Sequence, residues 1–221
     1  MIAKEFSSYA TDDAFLIFAS GVSNSTNILP AAFEREKKLL EDAIEKHPGK
    51  ELVYFSTCSI YDPDMQNSAY VRHKIEMEEL IRKKSLHSRI FRLSNPVGKT
   101  SNRNTIINFL VNKIQSGEHF EIWTEATRNI IDMDDVFKLC DHLLKNNVAG
   151  IEDIANPLNY TVPFIVEAIE EHLGIKGNYS KIDKGHGPKI NTTGIEPLFK
   201  ELNINFGNDY LPQLLQKYFP R

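Results

Sequence analysis

Three short apolar runs, separated by helical patterns, constrain this chain more than any other feature. AFLIFASG (14–21), LVYFS (52–56) and SRIFRLSN (88–95) are near-continuous stretches of aliphatic and aromatic residues that end in small polar ones. Runs of this length and make-up read as strands buried on both faces. Between them lie two helical patterns. FEREKKLLEDAIEKH (33–47) carries an apolar stripe of Leu39, Leu40, Ala43 and Ile44, and Pro48-Gly49 stops it. The segment 69–84 follows, with Ile75, Leu80 and Ile81 expected to face inward. Strands alternating with helices predict an α/β fold with a parallel sheet covered by helices. Ligands of such sheets collect at the carboxyl ends of the strands. Those ends carry Ala19-Ser20-Gly21, Ser56-Thr57-Cys58 and Ser94-Asn95, all small and polar.

Before this unit, IAKEFSSYA (2–10) predicts a short helix with Ile2, Phe6 and Tyr9 on one side. After Gly98 the pattern changes. A helix over 105–117, short strands over 119–124 and 128–132, and a helix over 132–145 capped by Asp132 or Asp134 follow in order. Residues 150–155 return to the sheet, and a helix with Pro163 in its first turn runs to Leu173. Loop or short strand then leads to two closing helical patterns. The second half reads as a lobe over the carboxyl edge of the sheet. The expected division is 1–98 plus 133–156 for the sheet unit, and 99–132 plus 157–221 for the lobe.

The remaining bulk features exclude several function classes. With 221 residues the chain is one large domain, or a domain and a small lobe. A net charge of −4 gives no electrostatic case for nucleic acid or an anionic membrane. No run approaches the roughly 18 apolar residues of a membrane span, and MIAKEFSSYATDD has no apolar signal core. Two cysteines, Cys58 and Cys140, make no disulfide framework, so a reducing cytoplasm is the simplest compartment. The seven histidines show no i,i+4 pair, which argues against a metal site. His73 projects about 100° away from Lys74 on a helix and is placed at the surface. The charged residues of 33–47 are likewise placed in solvent. Lys184 to Lys189 is a glycine-rich turn without the ending of a P-loop, suited to a turn or a lid.

The chemistry concentrates in Leu52–Lys74. A hydroxyl at a strand end, Thr57, precedes a helix on which Tyr70 and Lys74 lie four apart and share a face. A tyrosine acting as base near neutrality must drop from about 10 by roughly three units, about 4 kcal/mol in favour of the phenolate. A fixed cation such as Lys74 has the right sign. Thr57 would position a substrate oxygen for proton transfer. On spacing alone, an ordinary helix with a half-buried tyrosine and a surface lysine is the stronger reading.

The order of motifs shifts that balance. STCSIY (56–61) followed by YVRHK (70–74) resembles the extended short-chain dehydrogenase/reductase family of nucleotide-sugar epimerases, dehydratases and ketoreductases. The tyrosine of the family's VYG turn matches Tyr61, which puts the catalytic hydroxyl on Thr57; the family's tyrosine and lysine fall on Tyr70 and Lys74. Asp62 stands where the glycine is usual. Asp13 to Gly21 is similar to the family's strand whose small residues pass the cofactor. RLSNPVGK (92–99), Asn104 and RNIIDMDDV (128–136) resemble later family segments, with Asn129 in place of the usual acid. The likeness covers about residues 13 to 175.

The resemblance implies a Rossmann-like α/β sheet lacking the usual first βαβ units, with a small α+β substrate lobe. It implies NAD or NADP as cofactor, bound by Ala19, Ser20, Gly21, Ser56, Tyr70, Lys74, Pro96 and Val97. It implies a nucleotide sugar held by Thr57, Asn95, Asn104 and Arg128, with Thr57, Tyr70 and Lys74 catalytic. Cys58-Ser59 occupies the place of the Asp-Glu pair of the family's dehydratases, which leaves ketoreduction or epimerisation. A homodimer through the helices 33–47 and 69–84 follows by analogy only. Two departures stand out. No G-x-G-x-x-G is present, and Met1-Ile2-Ala3 resembles the end of such a loop, so the natural protein is expected to start several residues earlier. The loop between Tyr61 and Tyr70 is short, which trims the pocket wall. The competing reading is a non-catalytic family member that binds a nucleotide sugar or a partner, and a third is an inactive truncated product.

Overall fold

The computed structural model describes residues 1–100 and 102–220. Its centre is a four-stranded parallel sheet in the order β1-β2-β3-β7, formed by β1 (Phe15–Phe18), β2 (Glu51–Thr57), β3 (Ser88–Leu93) and β7 (Gly150–Ile154). Side chains alternate across β2, as the two-residue period of a strand demands. Leu52 and Tyr54 join Leu40, Met77, Ile81 and Ile90 on one face. Val53 and Phe55 join Phe6, Phe91, Val136 and Leu139 on the other. The first face is covered by α2 (Pro30–Lys46) and α3 (Ala69–Lys84), the second by α1 (Ile2–Glu5) and α5 (Met133–Lys145).

The expected β1 is present but is not buried on both faces. It lies at the sheet edge with β2 as its partner, and three of its four residues are half-buried. Helix α2 starts at Pro30, three residues ahead of the expected Phe33, because proline is well suited to the first helical position. Helix α3 begins at a Ser68 cap whose hydroxyl accepts from Val71 N–H. Its inward stripe is Tyr70, Val71, Lys74, Met77, Glu78 and Ile81. Ile75, expected inside, sits off that stripe and is 40% exposed.

At Ser94 the chain leaves the main sheet. β4 (Asn95–Val97) pairs in parallel with β6 (Thr127–Asp132), which pairs antiparallel with β8 (Asn159–Thr161). β5 (Phe120–Trp123) pairs with β9 (Tyr179–Ile182). A separate apolar cluster joins these strands to α4 (Ile106–Ser116), α6 (Val162–Leu173) and α8 (Tyr210–Tyr218) through Ile107, Leu110, Ile130, Ile165, Leu211 and Leu214. The short α7 (Glu196–Glu201) packs on the sheet unit through Leu198 and Phe199. Among the described residues no helix is long and apolar enough to cross a membrane.

Candidate active site

The carboxyl ends of β1, β2 and β3 open into a cleft of about 590 Å³. The sequence-predicted residues Ala19, Gly21, Ser56, Thr57, Tyr70, Lys74, Asn95, Pro96, Val97, Asn104 and Arg128 all border it. Ser20 does not; it is exposed just outside. Thr57 ends β2 in extended geometry, so its hydroxyl caps the following 3-10 turn Cys58–Tyr61 by accepting from Ser59 N–H at 3.1 Å. It also bonds Ser59 Oγ at 3.0 Å. Tyr70 opens α3 opposite, and its side chain is buried against the same strand end.

Lys74 is not a surface cation. Its side chain is 3% exposed. The ammonium donates to Glu36 Oε1 at 3.0 Å and Tyr54 Oη at 3.0 Å, and lies 3.5 Å from Phe55 O. Glu36 is fully buried and accepts four hydrogen bonds. Tyr54 Oη (2.6 Å) and Lys74 serve Oε1; Val22 N–H (2.6 Å) and His73 Nε2 (3.0 Å) meet Oε2. His73 is buried and stacks on Phe33, with ring centroids 4.7 Å apart. Two expectations are thereby corrected. His73 is interior, and helix 33–47 is not wholly solvated, because Glu36 shares a face with Phe33, Leu40 and Ala43 at helical spacing.

Burial pushes the Tyr70 phenol up to about 12; the Thr57 hydroxyl counts the other way, and the Glu36 charge adds to the rise. The expected lowering of Tyr70 by Lys74 is absent from this arrangement, since Glu36 offsets the ammonium's charge. Burial would push Glu36 up, but the His73 bond, the Lys74 charge, Tyr54 and Val22 together hold it down at about 2. Burial lowers Lys74, opposed by Glu36. Cys58 donates to Arg92 O at 3.1 Å, and burial pushes its thiol well up, so it has the character of an inert interior thiol.

Beneath the strand end lies a second polar cluster. Ser56 Oγ donates to Glu78 Oε1 at 2.5 Å, and Arg92 donates to both Glu78 oxygens at 3.0 and 2.6 Å. Arg92 also donates to Tyr61 Oη, which meets Asp153 Oδ1. These bonds tie the Ser56 hydroxyl to the Glu78 carboxylate. On the far side, Arg128 donates to Thr127 O at 2.7 Å and lies 4.0 Å from Asp62. His186 meets the Asp64 carboxylate through its backbone N–H and Nδ1, both at 2.9 Å, which draws Pro188 and Ile190 to the cleft wall. Asn95 Nδ2 donates to Asn129 O. Ser94 borders the cleft, and its Oγ is buried without a hydrogen-bond partner among the described residues. No group of three or more His, Cys, Asp or Glu side chains among the described residues could hold a metal ion.

Sequence reasoning missed Glu36, Glu78 and Arg92 and misplaced His73, while Ser94 was singled out only as a small polar residue at a strand end. A signal for Glu36 existed: it sits three residues after Phe33 and four before Leu40, inside the stripe rather than opposite it.

The profile of the NAD dependent epimerase/dehydratase family matches residues 18–156, well over half of the chain. The chain belongs to this family. Among solved structures, UDP-N-acetylglucosamine 4-epimerase from Bacillus cereus is similar at a TM-score of 0.68 and 19% identity, over 91% of this chain and 75% of that one. dTDP-glucose 4,6-dehydratase from Bacillus anthracis, solved with NAD, gives 0.68 at 16% identity over 90% and 69%. dTDP-4-dehydrorhamnose reductase from Bacillus anthracis, solved with NADP, gives 0.68 at 13% identity over 99% and 85%. At such identities the likeness shows the fold, a Rossmann-like parallel sheet. No curated protein matches this family member by sequence.

Proposed function

We propose that this family member is an NAD(P)-dependent ketoreductase or epimerase of a nucleotide-activated sugar. The observation that carries the reading is the convergence of Thr57, Tyr70 and Lys74 in one cleft that also takes in Asn95, Asn104 and Arg128. The cleft falls within the 300–1,000 Å³ usual for small-molecule sites. Whether its residues suit a nicotinamide cofactor is tested at two points. Ser94 offers a buried hydroxyl with no hydrogen-bond partner among the described residues, an uncommon state that a ligand would relieve. At Gly21 a Cβ would stand 2.8 Å from Lys74 Nζ and 2.9 Å from Glu36 Oε1, so the turn after β1 passes close over the ammonium and its carboxylate. The nicotinamide end therefore fits, with Thr57, Ser94, Pro96, Val97 and Lys74 around it. Bound there, the cofactor would supply hydride exchange with a sugar carbon.

The chain's own residues would handle the proton. Tyr70, protonated at neutral pH, gives its phenolic proton to a sugar keto oxygen, or takes one from a hydroxyl in the reverse direction. Thr57 bonds the same oxygen and orients it. Lys74 turns the N–H only loosely held by Phe55 O toward the cofactor. Arg128 and Asn104 meet the nucleotide diphosphate and Asn95 the sugar. Residues 99–132 and 157–221 would form the substrate lobe, and a homodimer would form through α2 and α3.

One observation favours the non-catalytic alternative: Lys74 already has Glu36 and Tyr54 as partners, and Tyr70 is not activated. Fluorescence titration with NADH and NADPH, followed by turnover of UDP- and dTDP-4-keto sugars, separates the two. Binding with turnover that drops at least a hundredfold in Tyr70→Phe is expected. Sugar-nucleotide binding without NAD(P)H binding would establish the alternative, and full turnover in Tyr70→Phe would remove the tyrosine from the chemistry.

A further inference from the structure

Glu36 stands out among the groups the proposed chemistry leaves unused. It is fully buried on α2, outside the segment where the catalytic motif lies, and two of the four bonds it accepts come from cleft-lining residues, Lys74 and Val22. Oε1 takes the Lys74 ammonium and the Tyr54 hydroxyl; Oε2 takes the Val22 amide and His73. Val22 belongs to the turn that follows β1, and Gly21, Val22 and Ser23 all border the cleft. One carboxylate thus links the turn after β1, the hydroxyl of β2 and two side chains of α3.

We propose that Glu36 is the positioning residue of this site, a fixed counter-ion that holds the Lys74 ammonium charged and in place and locks the Gly21–Val22 turn to it. The geometry requires such a partner. An ammonium that is 3% exposed has lost its water, and in dry surroundings the charged form persists only beside an opposite charge. The groups facing it are Glu36 from α2, Tyr54 and the Phe55 carbonyl from β2, and Tyr70 and, more distantly, Glu78 from α3. Glu36 is the carboxylate in direct contact. Glu78 has its own cation in Arg92 at 2.6 Å. His73 and Val22 bond the other Glu36 oxygen, so the carboxylate cannot swing away without breaking both.

The inference draws on the cofactor reading for one of its readouts and is independent of it for the other. The test uses protein whose lysines carry ¹³C at Cε, with the Lys74 signal assigned by its loss in Lys74→Met. In the unaltered protein the pH at which the Lys74 signal changes from ammonium to free amine is read first. In Glu36→Gln the midpoint for loss of the ammonium signal falls by about two pH units, so that a hundredfold higher proton concentration is needed to keep Lys74 charged. Glu36→Asp, which keeps the charge, moves it by less. NADH affinity measured alongside falls with rising pH in Glu36→Gln at a lower pH than in the unaltered protein. An unchanged Lys74 midpoint in folded Glu36→Gln overturns the proposal. If Glu36→Gln does not fold, Glu36→Gln/Lys74→Met decides: recovery of the fold supports an orphaned cation as the cause, and no recovery overturns it. Should NADH bind to no form at any pH, the cofactor reading falls, while the lysine titration still decides the role of Glu36.

Discussion

All eight tyrosines of this chain have phenols pushed above their ordinary value, which makes the state of Tyr70 directly measurable. Burial leads the causes in each case. Tyr70 stands at about 12. Relative to a free phenol at 10, that is about two units, or roughly 3 kcal/mol against the phenolate. Acting as a base at pH 7 would take about five units in the other direction, roughly 7 kcal/mol. A phenol so raised is protonated at neutral pH. The assay is the absorbance of tyrosinate near 295 nm against pH, with far-ultraviolet circular dichroism on the same samples. The sign follows from linkage. A phenol whose folded value is raised contributes stability that is complete below 10 and is lost as pH climbs toward 12. Eight such groups make tyrosinate appear together with unfolding, in one cooperative step above pH 10. Because the other seven are silent below that point, an activated Tyr70 would be conspicuous. One tyrosine's worth of absorbance rising below pH 9, with the fold intact and absent from Tyr70→Phe, would refute the reasoning.

Two further outcomes follow from the buried charges. Glu78→Gln leaves Arg92 without its doubly bonded carboxylate; breaking such a pair costs about 3 kcal/mol, which for a chain of this size lowers Tm by roughly 6–12 °C in differential scanning fluorimetry. A change below 2 °C would show the pair to be energetically idle. Glu36, held at about 2 against an ordinary 4.5, contributes stability present above 4.5 and lost as pH falls toward 2. That span of about 2.5 units amounts to roughly 3 kcal/mol. Urea unfolding of the unaltered protein should therefore weaken steeply between pH 4.5 and 2.5, and Glu36→Gln should show a shallower slope there; equal slopes would place the titrating groups elsewhere.

The strands and helices of the sheet unit were legible because their burial is periodic. Phe55 and Tyr54 point to opposite faces, and Ser68 marks the start of α3 by the side-chain oxygen a helix N-terminus needs. Periodicity alone misjudged Ile75, since the inward face of α3 is set by how the helix lies on the sheet, and three apolar residues did not define it. The edge position of β1 was equally hidden: an apolar run states how much it wants to be buried and not how many neighbours it has. That Thr57, Tyr70 and Lys74 border one cleft was legible through spacing and the resemblance together. What surrounds them was not. Glu36 and Lys74 are 38 residues apart, as are the two ends of the Arg89 to Glu51 pair. Charged letters in a helix read as solvent-facing unless a partner across the fold is known.

The Lys74–Glu36–His73 cluster bears on whether the site does chemistry. A buried ion pair recovers its desolvation penalty poorly, and apolar residues of similar size commonly serve stability as well or better. Leu40, Met77 and Ile81 pack the same two helices by that cheaper means a turn away. A protein that only bound a nucleotide sugar could fill the space behind Tyr70 with more of the same. Instead the chain places an ammonium there, within 5.9 Å of the Tyr70 ring, and commits a carboxylate, a phenol, an imidazole and a backbone amide to keeping it. The expense is intelligible if the ammonium has a task at the cleft, and the task open to a cation beside a phenol and a strand-end hydroxyl is to steady charge while a proton moves.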